Sequence, residues 1–194
     1  DKKRTPLYRF LKLQLIYLIG EKKIYLPWLN KLVIPIEKGD TGLTGNYYFG
    51  LHEFNDMAFA IHLLREEDSF IDVGANLGSY SLLSSGVSGS NTISFEPVPK
   101  TYKRLVENIS INSLNNKIET RRIALSSLEK TKTQNQILFS VDRDCMDSIV
   151  DENYKGDKEY VKVSTLDEEC QSVKPSLIKI DVEGFEEDVL KGAL

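Results

Sequence analysis

The sequence predicts a doubly wound α/β fold, in which helices cover both faces of a largely parallel sheet. Short apolar segments alternate with segments of helical periodicity from residue 69 onward, and this alternation is typical of parallel βαβ units. A glycine-rich turn follows the apolar segment at residues 70–73, where such sheets bind ligands. The length of 194 residues is enough for one domain with its own core.

The helices and strands can be assigned in chain order from periodicity and turn residues. Pro99 suits the first turn of a helix, and Thr165 suits a helix cap. The expected helices are residues 51–64, 77–85 and 99–112, with further ones beginning at 166 and 185. The expected strands are residues 70–73, 91–95, 119–125, 136–141, 160–164 and 177–180, with 160–164 at an edge of the sheet and 177–180 buried.

Residues 1–45 are expected to form an extension of helical and irregular structure, and residues 46–194 the ligand-binding domain. Within the extension, the apolar run at residues 10–19 is broken by Lys12 and is far shorter than the ~20 residues that span a bilayer. We expect a helix there that packs on the domain or on a partner, with peripheral contact to a membrane surface as the alternative.

An irregular connector is expected to follow that helix. Pro27 and Pro35 should bracket it, and Gly39, Gly42 and Gly45 should continue it. Proline and glycine are the residues that most often interrupt regular structure.

The turn at residues 72–78 reads Asp-Val-Gly-Ala-Asn-Leu-Gly. A dinucleotide site needs glycine at three set positions, and counting from Gly74 the other two hold Asn76 and Ser79. Asp72, before the turn, would repel a pyrophosphate but would suit a ligand with a positive amino group, such as the methionine part of S-adenosylmethionine. The turn therefore favours S-adenosylmethionine over NAD.

A second acidic residue, Glu96, stands at the end of the next strand. It lies 24 residues beyond Asp72, close to the ~20-residue spacing of an acid that binds ribose hydroxyls. Pro97 keeps Glu96 in extended backbone, so its carboxylate can project over the turn. We expect Glu96 to hold the ribose of the cofactor.

Four blocks of sequence occur in a fixed order along the chain. They are Phe70-Ile-Asp-Val-Gly-Ala-Asn-Leu-Gly-Ser-Tyr-Ser81, Phe95-Glu-Pro-Val-Pro99, Leu105-Val-Glu-Asn-Ile109 with Asn112, and Leu177-Ile-Lys-Ile-Asp-Val-Glu-Gly-Phe-Glu186. Together these blocks resemble the FkbM-type S-adenosylmethionine-dependent methyltransferases, over roughly residues 46–194. The resemblance implies the Rossmann-like, seven-stranded sheet of class I methyltransferases and O-methylation of a hydroxyl on a saccharide or secondary metabolite.

The resemblance also implies which residues bind the cofactor. The glycine turn should line its methionine end, the acid after the second strand its ribose, and the backbone after the third strand its adenine. An acid on the helix before the turn is also frequent in the family. In chain order these residues are Glu53, Asp72, Gly74, Asn76, Gly78, Glu96, Ile123 and Ala124. A complete member continues with further strands, so the C-terminal strands are expected to be missing here.

Two further carboxylates, Asp181 and Glu183, follow the strand at residues 177–180. They are the catalytic candidates, because a carboxylate there could take the proton of an attacking hydroxyl as general base. The alternative is that they cap the next helix or bind ligand without proton transfer. Enzymes that methylate exocyclic amines usually carry Asn-Pro-Pro-aromatic at this position. The sequence reads Asp-Val-Glu-Gly instead, which favours oxygen as the acceptor.

The composition of the chain limits the classes of partner that it can be expected to bind. The net charge of −4 shows no basic surplus, which argues against a nucleic-acid substrate. Cys145 and Cys170 fit no disulfide or zinc spacing, as expected for free thiols in the reducing cytoplasm. His52 and His62 are too few and too far apart to suggest a metal site.

Three alternatives to an O-methyltransferase remain at this stage. A tRNA or other N-methyltransferase can share the turn, and an NAD-linked oxidoreductase is disfavoured by the missing glycines. A non-catalytic remnant that binds partners through its N-terminal helix is compatible with the missing strands. Sugars, lipid-linked glycans and polyketides all offer a suitable hydroxyl, and the sequence does not indicate an oligomeric state.

Overall fold

The centre of the molecule is a parallel sheet of four strands, seen in a computed structural model that describes residues 5–133, 136–140 and 149–193. A three-stranded sheet and a two-stranded hairpin accompany it. In chain order the elements are α1 (Thr5–Leu18), β1 (Lys23–Pro27), a 3-10 turn (Leu29–Lys31), β2 (Val33–Glu37), α2 (Gly42–Phe49), α3 (Phe54–Leu63), β3 (Ser69–Val73), α4 (Ser79–Leu83), a π-helical turn (Ser84–Ser88), β4 (Asn91–Phe95), α5 (Pro99–Ile111), β5 (Ile118–Arg121), β6 (Ala124–Leu125), α6 (Leu128–Thr133), β7 (Gln136–Ser140), β8 (Lys158–Ser164), α7 (Leu166–Glu169), β9 (Leu177–Ile180) and α8 (Glu186–Lys191).

The strand order of the parallel sheet is β5–β4–β3–β9, so the chain winds outward from β3 in one direction and then returns to its other side. β3 pairs in parallel with both neighbours, and its last residue, Val73, lies opposite Phe95 of β4 and Ile180 of β9. In a doubly wound sheet ligands bind where the winding reverses, at the carboxyl ends of these strands. The predicted doubly wound α/β fold is confirmed.

β3 separates two hydrophobic layers. Side chains alternate along a strand, so Ile71 and Val73 face one layer, where they pack in a cluster with Val189 of α8. Phe70 faces the other layer and packs with Leu83 of α4. Both faces of β3 are therefore covered, as is usual for parallel sheets.

Residues 23–37 form an antiparallel hairpin, β1–β2, so the prediction of an irregular connector is wrong. Pro27 ends β1, and Pro35 lies within β2 opposite Tyr25. In a two-stranded sheet each strand has an outer edge without ladder bonds, where a proline is tolerated. The hairpin belongs to the core because Ile34 and Ile36 are fully buried.

The hairpin is tied to the chain that follows α2. The indole N–H of Trp28 donates to the carbonyl of Gly50, and the ring packs against both the cluster around Leu13 and the cluster around Met57. α2 itself runs across the boundary expected at residue 45. The division into an extension and a ligand-binding domain stays a prediction.

Three predicted strands differ in detail. The strand expected at residues 119–125 is two strands in different sheets, since β5 ends at Arg121 and β6 pairs with β8. The edge strand expected at residues 160–164 is the centre of its sheet, because β8 lies between β6 and β7. β9 is half exposed rather than buried, since among the described strands only β3 pairs with it.

The helix predicted at residues 10–19 corresponds to α1, which begins earlier, at Thr5, and ends at Leu18, and it packs on the domain. Leu13 is its fully buried residue, and Arg9 donates to the carbonyl of Tyr47 at 2.8 Å, near the end of α2. Across the described residues, every helix is too short or too polar to span a membrane. One narrow face therefore holds α1 to the rest of the molecule.

We expect Leu13→Ala to lower the free energy of unfolding by about 2–4 kcal/mol, because it removes buried methyl groups and leaves a cavity. Leu11→Ala, two residues away on the exposed face, is the matched control and should change stability by less than about 0.5 kcal/mol. Urea unfolding followed by circular dichroism measures both. Equal effects would mean that α1 does not pack as described.

Candidate functional site

A cavity of about 400 Å³ opens at the carboxyl ends of β3, β4 and β9, where the winding of the sheet reverses. Its floor is the turn between β3 and α4. Eight of the ten residues predicted for the site line it: Glu53, Gly74, Asn76, Glu96, Ile123, Ala124, Asp181 and Glu183. The cavity therefore brings together residues from distant parts of the sequence.

The turn has a strained backbone that only certain residues tolerate. Gly74, Asn76 and Gly78 have φ of 78°, 51° and 91°, in the left-handed region that glycine and, less readily, asparagine adopt. A Cβ on Gly74 would lie 2.0 Å from the carbonyl oxygen of Asp181. Glycine at this position thus allows the chain after β9 to pass directly against the turn.

Glu96 fixes its carboxylate against the same turn. Oε2 accepts from the backbone N–H of Asn76 and Oε1 from that of Val98, both at 2.9 Å. The residue is only 6% exposed and lines the cavity. Hydrogen bonds to a carboxylate are stronger than neutral ones, so the side chain is held in one orientation before any ligand arrives.

The wall beside Glu96 is apolar. After β5 the chain crosses to the second sheet, and Ile123, Ala124 and Leu125 line the cavity as it does so. Phe139 of β7 and Ile149, which bridges to it, complete this side. The arrangement offers a flat ligand an apolar surface edged by backbone groups.

Asp72 lies beneath the turn and does not line the cavity. It is fully buried, accepts a hydrogen bond from Ser81 at 2.6 Å, and faces Lys179 Nζ at 3.6 Å. Strand alternation explains this position, because residue 72 points to the α4 side of β3. Gly78, which precedes α4, also lies outside the lining and faces Leu105. The predicted cofactor roles of these two residues stay predictions.

Lys179 was not predicted as a site residue, yet it contacts both the turn and the chain that follows β9. Its Nζ donates to the carbonyl of Gly74 at 3.0 Å and lies 3.3 Å from Asp181 Oδ2. Burial alone would lower the pKa of Lys179, but Asp72 and Asp181 outweigh it and raise that pKa above its ordinary 10.5. The signal available in the sequence was a lone lysine inside the apolar strand at residues 177–180.

Tyr80 and Glu53 form a second polar contact at the cavity. The Tyr80 hydroxyl donates to Glu53 Oε2 at 2.6 Å, and Lys179 Nζ lies 5.3 Å from the centre of the Tyr80 ring. Burial, and then the Glu53 carboxylate, raise the pKa of Tyr80 above its ordinary value. The hydroxyl is therefore a hydrogen-bond donor at neutral pH. Tyr80 was not predicted as a site residue.

Asp181 and Glu183 stand at the open side of the cavity. The Asp181 side chain is 60% exposed, and Glu183 has a φ of 51°. Neither caps α8, whose N-cap residue is Phe185. Glu186 accepts from the backbone N–H groups of Val182 and Gly184 instead. The N-cap residue makes no side-chain cap bond, so the alternative that Asp181 or Glu183 caps α8 is wrong.

Over the residues that the structure describes, no three histidine, cysteine, aspartate or glutamate side chains lie close enough to hold a metal ion. Cys170 is a free, buried thiol, and burial raises its pKa above the ordinary value. Cys145 lies outside the described residues.

Residues 72–194 match the family model described as the methyltransferase FkbM domain. A curated relative, the hexuronic acid methyltransferase AglP of Haloferax volcanii, is 30% identical over 141 residues, covering 66% of this chain and 50% of the relative. The chain thus spans about half the length of the curated relative that it matches.

Solved structures with partial likeness include P. horikoshii TYW2 in complex with MeSAdo, with a TM-score of 0.42 and 16% identity over 54% of this chain and 37% of that one. An RNA methyltransferase from Salinibacter ruber in complex with S-adenosyl-L-homocysteine has a TM-score of 0.33 and 19% identity, covering 34% of this chain and 45% of that one. Likeness at this level identifies neither a substrate nor a ligand.

We expect Lys179→Met to lower the free energy of unfolding at neutral pH by about 3 kcal/mol, because it leaves the buried Asp72 carboxylate without its cation. The double variant Lys179→Met/Asp72→Asn removes both charges and should recover much of that loss. Chemical unfolding of the three proteins measures the difference. A single variant as stable as the parent would show that the ion pair does not support the turn.

The ion pair between Lys179 and Asp72 also predicts how the stability of the protein depends on pH. The folded-state pKa of Lys179 is raised above 10.5, so its contribution to stability is complete below that pH and is lost as pH rises through the folded-state pKa. The stability gap between the parent and Lys179→Met should therefore narrow above pH 10.5. A gap that is constant across this range would contradict the assignment.

Proposed function

Because the chain belongs to the methyltransferase FkbM domain family, we propose that it transfers a methyl group from S-adenosylmethionine to a hydroxyl of a saccharide. The observation that carries the proposal is the Glu96 carboxylate, which is held by the N–H of Asn76 directly over the glycine turn. The observation supports the proposal because a carboxylate can accept from two ribose hydroxyls, and because this is the point where doubly wound sheets bind nucleotides.

The size and the lining of the cavity support this choice of cofactor. Its volume of about 400 Å³ is within the ~300–1,000 Å³ of small-molecule sites. Ile123 and Ala124 offer an apolar wall for adenine beside Glu96. The carboxylates of Glu53, Asp181 and Glu183 favour a ligand that carries positive charge on its amino group and sulfur.

When bound, S-adenosylmethionine supplies a methyl carbon on a positively charged sulfur, which is already a good leaving group. The protein's main task is then to hold the acceptor oxygen in line with that carbon, and positioning of this kind can supply effective molarities of ~10⁵–10⁸ M. The rigid turn and the Lys179 contacts keep the floor in place. Asp181, at the open side of the cavity, is the proposed group that accepts the proton of the acceptor hydroxyl, with Glu183 as the second candidate.

A saccharide acceptor is proposed from two observations. Residues 181–184 are Asp-Val-Glu-Gly, without the asparagine and prolines typical of enzymes that methylate exocyclic amines. The curated relative is a hexuronic acid methyltransferase, which makes a hexuronic acid the first acceptor to test. A cytoplasmic location is part of the same proposal, since free thiols such as Cys170 are typical of reducing compartments.

We expect Glu96→Gln to weaken binding of S-adenosylmethionine about ten- to a hundredfold, because it removes charge-assisted hydrogen bonds of about 1.5–3 kcal/mol. Calorimetric titration of the full chain with S-adenosylmethionine, S-adenosylhomocysteine and NAD measures this. Glu67→Gln, an exposed change just before β3 and so at the opposite end of that strand from the turn, is the matched control and should bind like the parent.

The titration also separates the alternatives. Binding of NAD alone would overturn the assignment of the turn. If the chain gives a folded circular-dichroism melt and binds none of the three, a non-catalytic role becomes the better explanation. Equal affinity of Glu96→Gln and the parent would remove the ribose assignment.

We expect Asp181→Asn to lower kcat for transfer to a glucuronic acid glycoside by about 10²–10⁴-fold, the usual contribution of a general base. The affinity for S-adenosylmethionine should fall much less, because Glu53 and Glu183 keep their charges. Glu183→Gln is the matched comparison, and the larger loss identifies the base. Transfer of a labelled methyl group measures kcat and KM. Full kcat in both variants would show that neither residue takes the proton.

The product shows which kind of oxygen of a hexuronic acid accepts the methyl group, a hydroxyl or the carboxyl group. Treatment with base releases methanol from a methyl ester but not from a methyl ether. The proposal expects an ether, formed at a hydroxyl, and an ester would move the acceptor to the carboxyl group.

A further inference from the structure

α1 presents a large apolar face to solvent. Its buried side is narrow, with Leu13 inside and Tyr17 partly buried. At about 100° per residue, the exposed large side chains of the helix and the following turn share an arc of about 120° on the opposite side. They are Leu7, Tyr8, Leu11, Leu15, Leu18 and Ile19, each at least 57% exposed. A solvent-exposed apolar patch of this kind usually marks a docking site.

The same segment is strongly basic. Residues 1–23 contain seven lysines and arginines and two acidic residues, although the whole chain has a net charge of −4. α1 itself contains no aspartate or glutamate. In the sequence, Lys2, Lys3 and Arg4 precede α1 and Lys22 follows it. Lys23 is paired with Glu107 at 2.6 Å.

We propose that α1 docks the protein onto an anionic lipid surface. Helices that lie in a membrane interface combine an apolar face with flanking lysines and arginines. Each basic residue near an anionic membrane surface adds about 1 kcal/mol of electrostatic attraction. The excess of lysine and arginine in this segment therefore favours anionic lipid over neutral lipid. A second copy of the chain is a poorer occupant, since two segments with the same positive charge would meet face to face.

α1 contacts α2, and α2 lies beside the rim of the cavity. Arg9 of α1 donates to the carbonyl of Tyr47 in α2, and the residues on either side of α2 line the cavity, among them Thr41 before it and Glu53 after it. A lipid surface bound by the exposed arc of α1 would therefore be separated by one helix from the element that supports this rim. Docking through α1 does not depend on the proposed methyl acceptor.

The test is flotation of the full chain with vesicles of phosphatidylcholine alone and with equimolar phosphatidylcholine and phosphatidylserine. We expect the chain to float with the mixed vesicles and much less with the neutral ones. Leu11→Glu/Leu15→Glu places charge in the centre of the exposed arc and should lower binding at least about tenfold. Both positions are exposed in the free protein, so the fold should be retained.

Leu190→Glu is the matched control, because it changes an exposed leucine on α8 that lies outside α1. It should float like the parent. The proposal is overturned if the folded parent does not float with either vesicle, or if the double variant floats as well as the parent. It is also overturned if sedimentation shows a dimer of the parent that Leu11→Glu/Leu15→Glu dissolves, since a second copy would then occupy the face.

Discussion

The ammonium group of Lys179 holds the floor of the cavity together. It lies 3.6 Å from Asp72 in β3, 3.0 Å from the carbonyl of Gly74 in the turn, and 3.3 Å from Asp181 beyond β9. A buried carboxylate without a partner costs several kcal/mol, so β3 and β9 are joined by charge as well as by the ladder. The position of the turn, and of everything above it, depends on this contact.

Local patterns explain which parts of the fold could be predicted from sequence. β3, the turn and α4 follow one another within a short stretch, and their apolar periodicity and glycines are visible there. The hairpin β1–β2 was missed because its prolines suggest irregular chain, whereas a two-stranded sheet accommodates them. The place of β8 at the centre of its sheet was missed for another reason. Alternation reports which side chains are buried but not how many neighbours a strand has.

The residues of the site also divide into those that local sequence patterns predict and those that depend on distant parts of the chain. Glu96 and Asp181 could be predicted because each follows directly after a strand whose end faces the ligand side of the sheet. Asp72 is one residue before the end of its strand, and the two-residue period turns it toward α4 instead of the cavity. The pairing of Lys179 with Asp72 could not be predicted from sequence, since Asp72 lies on a strand distant in the chain and becomes a neighbour only through the strand order.

Trp28 gives the molecule an internal optical reporter. It is the one tryptophan of the chain, and its indole bonds to Gly50, just ahead of His52 and Glu53 at the cavity. Indole emission responds to the polarity and hydrogen bonding of its surroundings. A shift of the rim on ligand binding would therefore change the fluorescence of the unlabelled protein, without a dye or an engineered residue.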